Sequence, residues 1–358
     1  MKGRKWLGGL VIGVAVMLLG ATPSFSDESP AVLFMSDFES GVLNNAFTAR
    51  PSQGWAGIGN MPVITQEHAR NGRYAMKAYL NKRTSAVPYR TMLVAKWQTT
   101  SDPRYAVSSS PPFFQDTWIG FSVYLPRSGP GNWSQASRTY EVLAQWHDGH
   151  ISPIPAWDTE KSKNPLFSLS VSDSGQIPER HWRISYIGES RTPYPGLNAP
   201  RPYLYESFKA KNIGSIEGDL DKWTDWVIRI RWNFWKVGSS NNVAHWDANS
   251  EYRKRPGTLE NIEGSSTAGL IQVWKNGVLV FSESPVQIGS NDNTGPAFSV
   301  GLYKGWTSQS DRDKDPVGER VMYLDEFRYA GNGASYADVA PANRLVKIPS
   351  APTSVAIK

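Results

Sequence analysis

Apolar residues recur at every second position along much of this chain, and that period constrains its architecture more than any other feature. Ile119, Phe121, Val123 and Leu125 alternate with Gly120, Ser122 and Tyr124 until Pro126 ends the run. Phe167, Leu169 and Val171 alternate with Ser168 and Ser170, and Trp226, Ile228, Ile230, Trp232 and Phe234 with Arg229, Arg231 and Asn233. A period of two is the mark of a strand with one buried face. The segment from Leu270 to Phe281 reads as a hairpin, because Asn276-Gly277 suits the two positive-φ sites of a type I′ turn. Val321 to Tyr329 is a further strand, and no long amphipathic helix is expected. Polar stretches at 127–137, 148–164, 191–219, 238–267 and 307–318 read as long loops. The pattern predicts an all-β fold, a β-sandwich of two antiparallel sheets of the jelly-roll kind. No linker separates two cores, so residues 27–330 are expected to form one domain. The Ala/Pro/Ser-rich 331–358 segment reads as a C-terminal tail or surface strap.

Composition narrows the classes. The chain has 358 residues and no cysteine, which excludes a disulfide scaffold, a thiolate metal site and a cysteine nucleophile. Lys2, Arg4 and Lys5 precede a short apolar run from Trp6 to Leu19, and Ser24-Phe25-Ser26 follows with small residues suited to cleavage. Residues 1–26 are therefore expected to be a signal peptide, giving a secreted or periplasmic protein with no membrane insertion after its removal. The formal charge of +6 owes part of its excess to that leader. No Lys/Arg run supplies the concentrated stripe that a nucleic-acid partner needs. A modest positive balance suits a polyanion gripped locally, and the chain is expected to act as a monomer.

The polar faces of the strands hold the candidate chemistry. In Glu141–His147, alternation puts Val142, Ala144 and Trp146 on the core side and Glu141, Leu143, Gln145 and His147 on the open side. In Ala297–Gly305, Phe298, Val300 and Leu302 form the buried set. Tyr303 stands between Gly301 and Gly305, and glycine in a strand often marks where a ligand nears the backbone. Arg90 shares a face with Met92, Val94 and Lys96, and Arg183 shares one with His181 and Ser185. Alternation points Lys304 away from Tyr303.

These residues carry a resemblance. Tyr89-Arg90-Thr91, Gln145-Trp146-His147 and Gly301-Leu302-Tyr303-Lys304 resemble the signature strands of jelly-roll polysaccharide lyases, in particular the heparin lyase I-like and glucuronan lyase group. Trp118 to Pro126, Gly269 to Gly277 and Tyr323-Leu324-Asp325-Glu326 are similar to that group too, so the likeness runs in order over residues 35–330. It departs where Met92 replaces an acid after the arginine, and where Ser299 replaces the lysine of the alginate lyase pattern. The resemblance implies a concanavalin-like β-jelly roll and a lyase that cleaves a uronic-acid polysaccharide by β-elimination. It implies Arg90 and Gln145 as the groups that offset the substrate carboxylate.

Such a reaction removes the C5 proton, alpha to a carboxylate, and expels the C4 oxygen. Fixed donors must stabilise the enolate-like intermediate. Gln145 has an amide donor and Arg90 a bidentate fork. If the proton and the leaving oxygen lie on opposite faces of the ring, His147 is the better base and Tyr303 the acid. If they share a face, Tyr303 can do both jobs. Arg183 and Lys304 are candidate substrate-binding cations. No cofactor is required, although Asp37, Glu39 and Asp325 are candidates for a structural Ca2+, which prefers oxygen ligands. Two other classes compete: a glycoside hydrolase, which needs a pair of flanking carboxyl groups, and a non-catalytic carbohydrate-binding protein.

Overall fold

The computed structural model describes residues 32–43, 47–51, 61–83, 89–95, 116–147, 165–173, 180–187, 189–193, 203–205, 208–232, 236–237, 259–260, 269–286, 288, 297–306, 308–331 and 333–341. The expected signal peptide and the end of the C-terminal segment lie outside them. In chain order the strands are β1 (Val32–Ser36), β2 (Phe47–Pro51), β3 (Val63–Thr65), β4 (Ala75–Asn81), β5 (Arg90–Ala95) and β6 (Asp116–Tyr124). Next come β7 (Glu141–His147), β8 (Phe167–Asp173), β9 (Arg180–Tyr186), β10 (Glu189–Pro193), β11 (Tyr203–Tyr205) and β12 (Lys209–Ser215). The last are β13 (Trp223–Arg231), β14 (Lys236–Val237), β15 (Leu259–Glu260), β16 (Gly269–Lys275), β17 (Val278–Val286), β18 (Ala297–Lys304) and β19 (Glu319–Ala330). Two short helices, α1 (Gln309–Lys314) and α2 (Tyr336–Val339), flank β19.

Two antiparallel sheets dominate. One runs β17-β16-β13-β6-β19-β4-β3, with β1 also paired to β19; the other runs β12-β9-β8-β7-β18-β5-β2. Their facing sides enclose one large core. Phe121, Trp226, Ile228 and Leu324 from the first sheet pack with Trp146, Leu169, Trp182, Phe298 and Val300 from the second. These are the residues that the two-residue period assigns to the interior. The β16–β17 hairpin turns as expected, with Asn276 at φ 52° and Gly277 at φ 84°. Three expected loops hold regular structure instead. The 191–219 stretch contains β11 and β12, the latter an edge strand with an uneven exposure pattern, 238–267 contains β15, and 307–318 contains α1. None is long or periodic enough to register as an apolar face.

Residues 333–341 lie across the outer side of the first sheet. Val339 packs with Trp118, Val227 and Ala330, and its carbonyl sits where a side chain at position 120 would be, so Gly120 keeps that contact open. A second covering turn, 70–74, is tied down by carboxylates. Glu39 accepts from the Arg73 and Tyr74 N–H groups at 2.9 Å, and Asp325 accepts from the Arg70 N–H at 2.8 Å. Among the described residues, no helix is long and apolar enough to cross a membrane.

Candidate active site

The site is built on the open face of the second sheet, and ladder register sets its layout. Tyr303 on β18 lies opposite Arg90 on β5 and opposite Val142 on β7. That row continues through Ser170 on β8 and Arg183 on β9 to Asn212 on β12. A second row runs from Val94 through Ser299, Gln145, Ser168 and Ser185. Between the rows stands Gly301, opposite Met92. Ser299 and Tyr303 are four positions apart, about 13 Å along an extended strand. Gly301 adds no side chain between them, so the strand is bare over that interval. Its φ is +141°, a region closed to most L-residues, and a Cβ there would collide with the backbone of Thr91 and Met92. The floor beside Gly301 is made of short hydroxyls, including Ser168 and Ser185, whose Oγ atoms are 2.6 Å apart. Small floor residues make depth for a ring.

Two of the polar side chains around Gly301 keep a buried atom without a partner among the described residues. Arg90 Nε is buried and has no hydrogen-bond partner among the described residues. Burial pulls the Arg90 pKa below that of a free guanidinium, and the nearby Tyr303 offsets this only in part. Gln145 Oε1 is also buried without a partner. An amide presents either its oxygen or its NH2 after a half-turn, so this end can serve as acceptor or donor. Buried polar atoms normally find partners, and an exception calls for an explanation such as a ligand. The Tyr303 oxygen accepts a hydrogen bond from Tyr140 Oη at 3.0 Å, and the two rings meet edge to face with centroids 5.5 Å apart. Gly305 makes room for this, since a Cβ there would stand 2.7 Å from the Tyr140 ring.

Strand alternation fails at one place, and the failure matters. The ladder between β7 and β8 shifts register between Val142 and Ala144, and that between β7 and β18 shifts between Val300 and Tyr303. A bulge of this kind puts two successive residues on one side. Leu143 and Ala144 both enter the core. Upstream of the bulge the faces are therefore exchanged: Val142 joins the Tyr303 row, while Glu141 points inward. The expected open-face placement of Glu141 and Leu143 is thus corrected. Downstream, Gln145 keeps its open-face position. His147 pairs with Ala297 at the far end of the same two strands; its side chain lies outside the described residues.

Glu141 ends in a buried ionic cluster. Lys304 Nζ lies 2.8 Å from Glu141 Oε1 and 3.1 Å from Asp315 Oδ2, with its side chain fully buried. Arg320 Nε donates to the same Glu141 oxygen at 2.6 Å, and Trp306 Nε1 donates to Asp315 at 2.6 Å. Burial alone would raise Glu141; the Arg320 and Lys304 charges outweigh it and lower its pKa. Asp315 feels the same contest. Lys304, the Val317 N–H, Ser137 and Trp306 overcome burial and hold it at about 2. Lys304 is therefore corrected from a substrate-binding cation to a structural one, because it lies behind β18 and its charge is already met. Arg183 does lie on the open face, where its Nη1 donates to Ser172 Oγ at 3.1 Å.

The calcium candidates occupy another part of the molecule. Asp37 accepts from the Glu39 N–H at 3.1 Å, while Glu39 and Asp325 hold the 70–74 turn. Burial pushes Asp325 up to about 7 against the pull of its backbone donors. Among the described residues, no group of three or more His, Asp or Glu side chains converges as a metal cage. All three carboxylates accept hydrogen bonds in or beside that turn. A separate polar cavity of about 910 Å3, lined by Lys82, Asn132, Gln135, Arg312 and Glu319 among others, holds none of the groove residues.

Three features of the site escape sequence reading: Tyr140, the clearance at Gly305, and the bulge that turns Glu141 inward. Tyr140 precedes its strand and carries no periodic signal; only contact reveals it. No pair of carboxyl groups stands on the described open face of β5, β7, β8, β9 and β18, which is what a hydrolase would need.

The polysaccharide lyase family model matches residues 52–328, and the chain belongs to that family. Among solved structures, it is similar to the endo-β-1,4-glucuronan lyase of the fungus Trichoderma reesei. That likeness has a TM-score of 0.55 and 16% identity, and covers 87% of this chain and all of the other. It supports the sandwich fold. Alginate lyase AlyC3 gives a TM-score of 0.37 at 10% identity over 72% of this chain and 75% of that one. Alginate lyase Aly36B gives 0.35 at 12% identity over 80% of this chain and 96% of that one. No curated protein matches the chain in sequence. The protein is a lyase that degrades a uronic-acid-containing polysaccharide by β-elimination.

Proposed function

We propose that this lyase cleaves a uronan in the groove of the second sheet, with Tyr303 serving as both base and acid. The observation that carries the reading is Arg90: a guanidinium with a buried, unpartnered Nε, directly across the ladder from Tyr303 and beside Gly301. A sugar ring seated over Gly301 would bring its carboxylate to Arg90 and Gln145. Neutralising that carboxylate makes the C5 proton removable, and donors aimed at the enolate-like oxygens stabilise the intermediate. Acting as the base, the Tyr303 phenolate takes the C5 proton. The resulting phenol then protonates the C4 oxygen as it leaves. The electron pair of the broken C5–H bond becomes the C4–C5 double bond of the product. His147 at the far end of β7 would bind the sugar on the other side of Gln145. Arg183, three strands from Tyr303 and so about 14 Å away, would hold the carboxylate of a neighbouring sugar. The signal peptide expected at residues 1–26 would place the enzyme with a polymeric substrate outside the cell.

The stereochemistry of the polymer tests this division of labour. In glucuronate and mannuronate chains the C5 proton and C4 oxygen leave from one face of the ring; in their C5 epimers, iduronate and guluronate, they leave from opposite faces. Purified protein is incubated with glucuronan, mannuronate-rich and guluronate-rich alginate, and heparan sulfate, and unsaturated uronate is followed by ultraviolet absorbance. Cleavage of glucuronan or mannuronate blocks is expected. Cleavage confined to guluronate or iduronate would transfer the base role to His147, and His147→Ala would then abolish it.

A further inference from the structure

We propose that Tyr140 is a positioning residue for catalysis, holding the Tyr303 oxygen so that Tyr303 exchanges its proton with the sugar and with nothing else. This inference rests on the reading of Tyr303 as the acid and base of the lyase. Three independent pieces of geometry carry it. The first is the hydrogen bond itself, 3.0 Å from Tyr140 Oη to Tyr303 Oη. With Tyr140 as donor, one lone pair of the Tyr303 oxygen is occupied. The Tyr303 proton must then point away from Tyr140, which leaves it free for the sugar.

The second piece is how rigidly the pair is mounted. Each tyrosine is followed by a buried charge, Glu141 after Tyr140 and Lys304 after Tyr303, and those two charges form an ion pair of 2.8 Å. The backbone is tied at the same level, where the Gly305 N–H donates to the Tyr140 carbonyl at 2.9 Å and the Lys304 N–H donates to the Tyr89 carbonyl at 2.8 Å. A pair of phenols mounted on such a clamp keeps its spacing without help from substrate. Pre-organised donors of this sort need no rearrangement when charge develops.

The third piece is the space made for Tyr140. It lies over Gly305, where any Cβ would strike its ring at 2.7 Å, yet it is 44% exposed. A residue kept only for core packing would not stand so far out of the core. The two phenols also differ in character. Burial, followed by the neighbouring Tyr303 and Asp311, raises the Tyr140 pKa well above that of a free phenol. Tyr140 therefore stays protonated and remains the donor while Tyr303 cycles.

Tyr140→Phe removes the donor and keeps the ring. A hydrogen bond to a group that carries charge in the reaction corresponds to a fall in kcat of about 10- to 100-fold. KM is expected to change by less than about 2-fold, since Tyr140 binds no substrate. The acid limb of the kcat profile, where the base is lost by protonation, should move to higher pH. Adding Tyr303→Phe to Tyr140→Phe should give no greater loss than Tyr303→Phe alone, because both act through one oxygen. Gly305→Ala, which displaces the Tyr140 ring without deleting its hydroxyl, should reproduce the kcat loss. Wild-type kcat and pH profile in Tyr140→Phe would overturn the inference while leaving the lyase reading intact. So would losses that multiply in the double variant. Wild-type protein that forms no unsaturated product from any polymer of the panel would overturn the lyase reading, and this inference with it.

Discussion

Tyr303 and Lys304 are neighbours on one strand, yet they face two opposite regimes. On the open side, Arg90 and Gln145 each keep a buried polar atom without a partner among the described residues, and the residues between them, Gly301 and Ser299, are small. Behind the strand, Lys304, Glu141, Asp315 and Arg320 meet every charge with another, at 2.6 to 3.1 Å. The contrast teaches where this fold keeps its binding capacity. Both faces hold cations withdrawn from water. A charge that is already paired behind the strand can stabilise only the fold. An unpaired one at the groove is an unmet demand that an acidic sugar can satisfy.

The comparison breaks most sharply under substitution. Tyr303→Phe should reduce kcat by about 100- to 10,000-fold, as expected for loss of a proton-transfer group. Its unfolding free energy should stay within about 0.5 kcal/mol of wild type, measured by urea denaturation. Lys304→Met should do the reverse. Removing one partner of a buried ionic cluster costs about 3 to 5 kcal/mol, while on folded protein KM should hardly change and kcat, which feels only the loosened clamp, should fall far less than in Tyr303→Phe. A Lys304→Met enzyme of normal stability and impaired KM would reinstate Lys304 as a substrate contact.

Smaller effects sharpen the picture. Arg90→Lys keeps the charge but loses the fork, and kcat/KM should fall about 10- to 100-fold, the range of a charge-assisted hydrogen bond. An unchanged kcat/KM would remove the bidentate contact. The acid response of the ionic cluster is the smallest effect. Asp315 is held at about 2 in the folded state against 3.8 for a free aspartate. Its contribution, about 2 kcal/mol, is complete above pH 3.8 and is lost as the pH falls from there to about 2. Melting curves across that window should show Asp315→Asn losing less stability on acidification than wild type. Equal slopes would mean that Asp315 is not part of the clamp.

Much of this was legible in the sequence, for a physical reason. A strand with one buried face writes its orientation into alternate residues, so the sandwich, the hairpin at Asn276-Gly277 and the shared face of Ser299, Gly301 and Tyr303 follow from period alone. The same rule correctly turned Lys304 inward, against its proposed use as a substrate cation. It failed at Glu141, because a bulge is set by pairing with two other strands and leaves no mark in the local pattern. Tyr140 was invisible for a related reason: its partner is 163 positions away, and its seat is the absence of a side chain at Gly305. Edge strand β12 escaped because an edge need not bury a regular face.

The central claim is that an acidic sugar sits over Gly301 with its carboxylate on Arg90 and Gln145. A crystal structure of the Tyr303→Phe variant, soaked with an oligomer of the polymer that the wild type cleaves, tests it most directly. The expected result is a ring carboxylate accepting hydrogen bonds from both side chains, with C5 facing the aromatic ring at position 303. An oligomer bound in the groove with its carboxylates turned away from Arg90, or bound on the other sheet, would contradict the account.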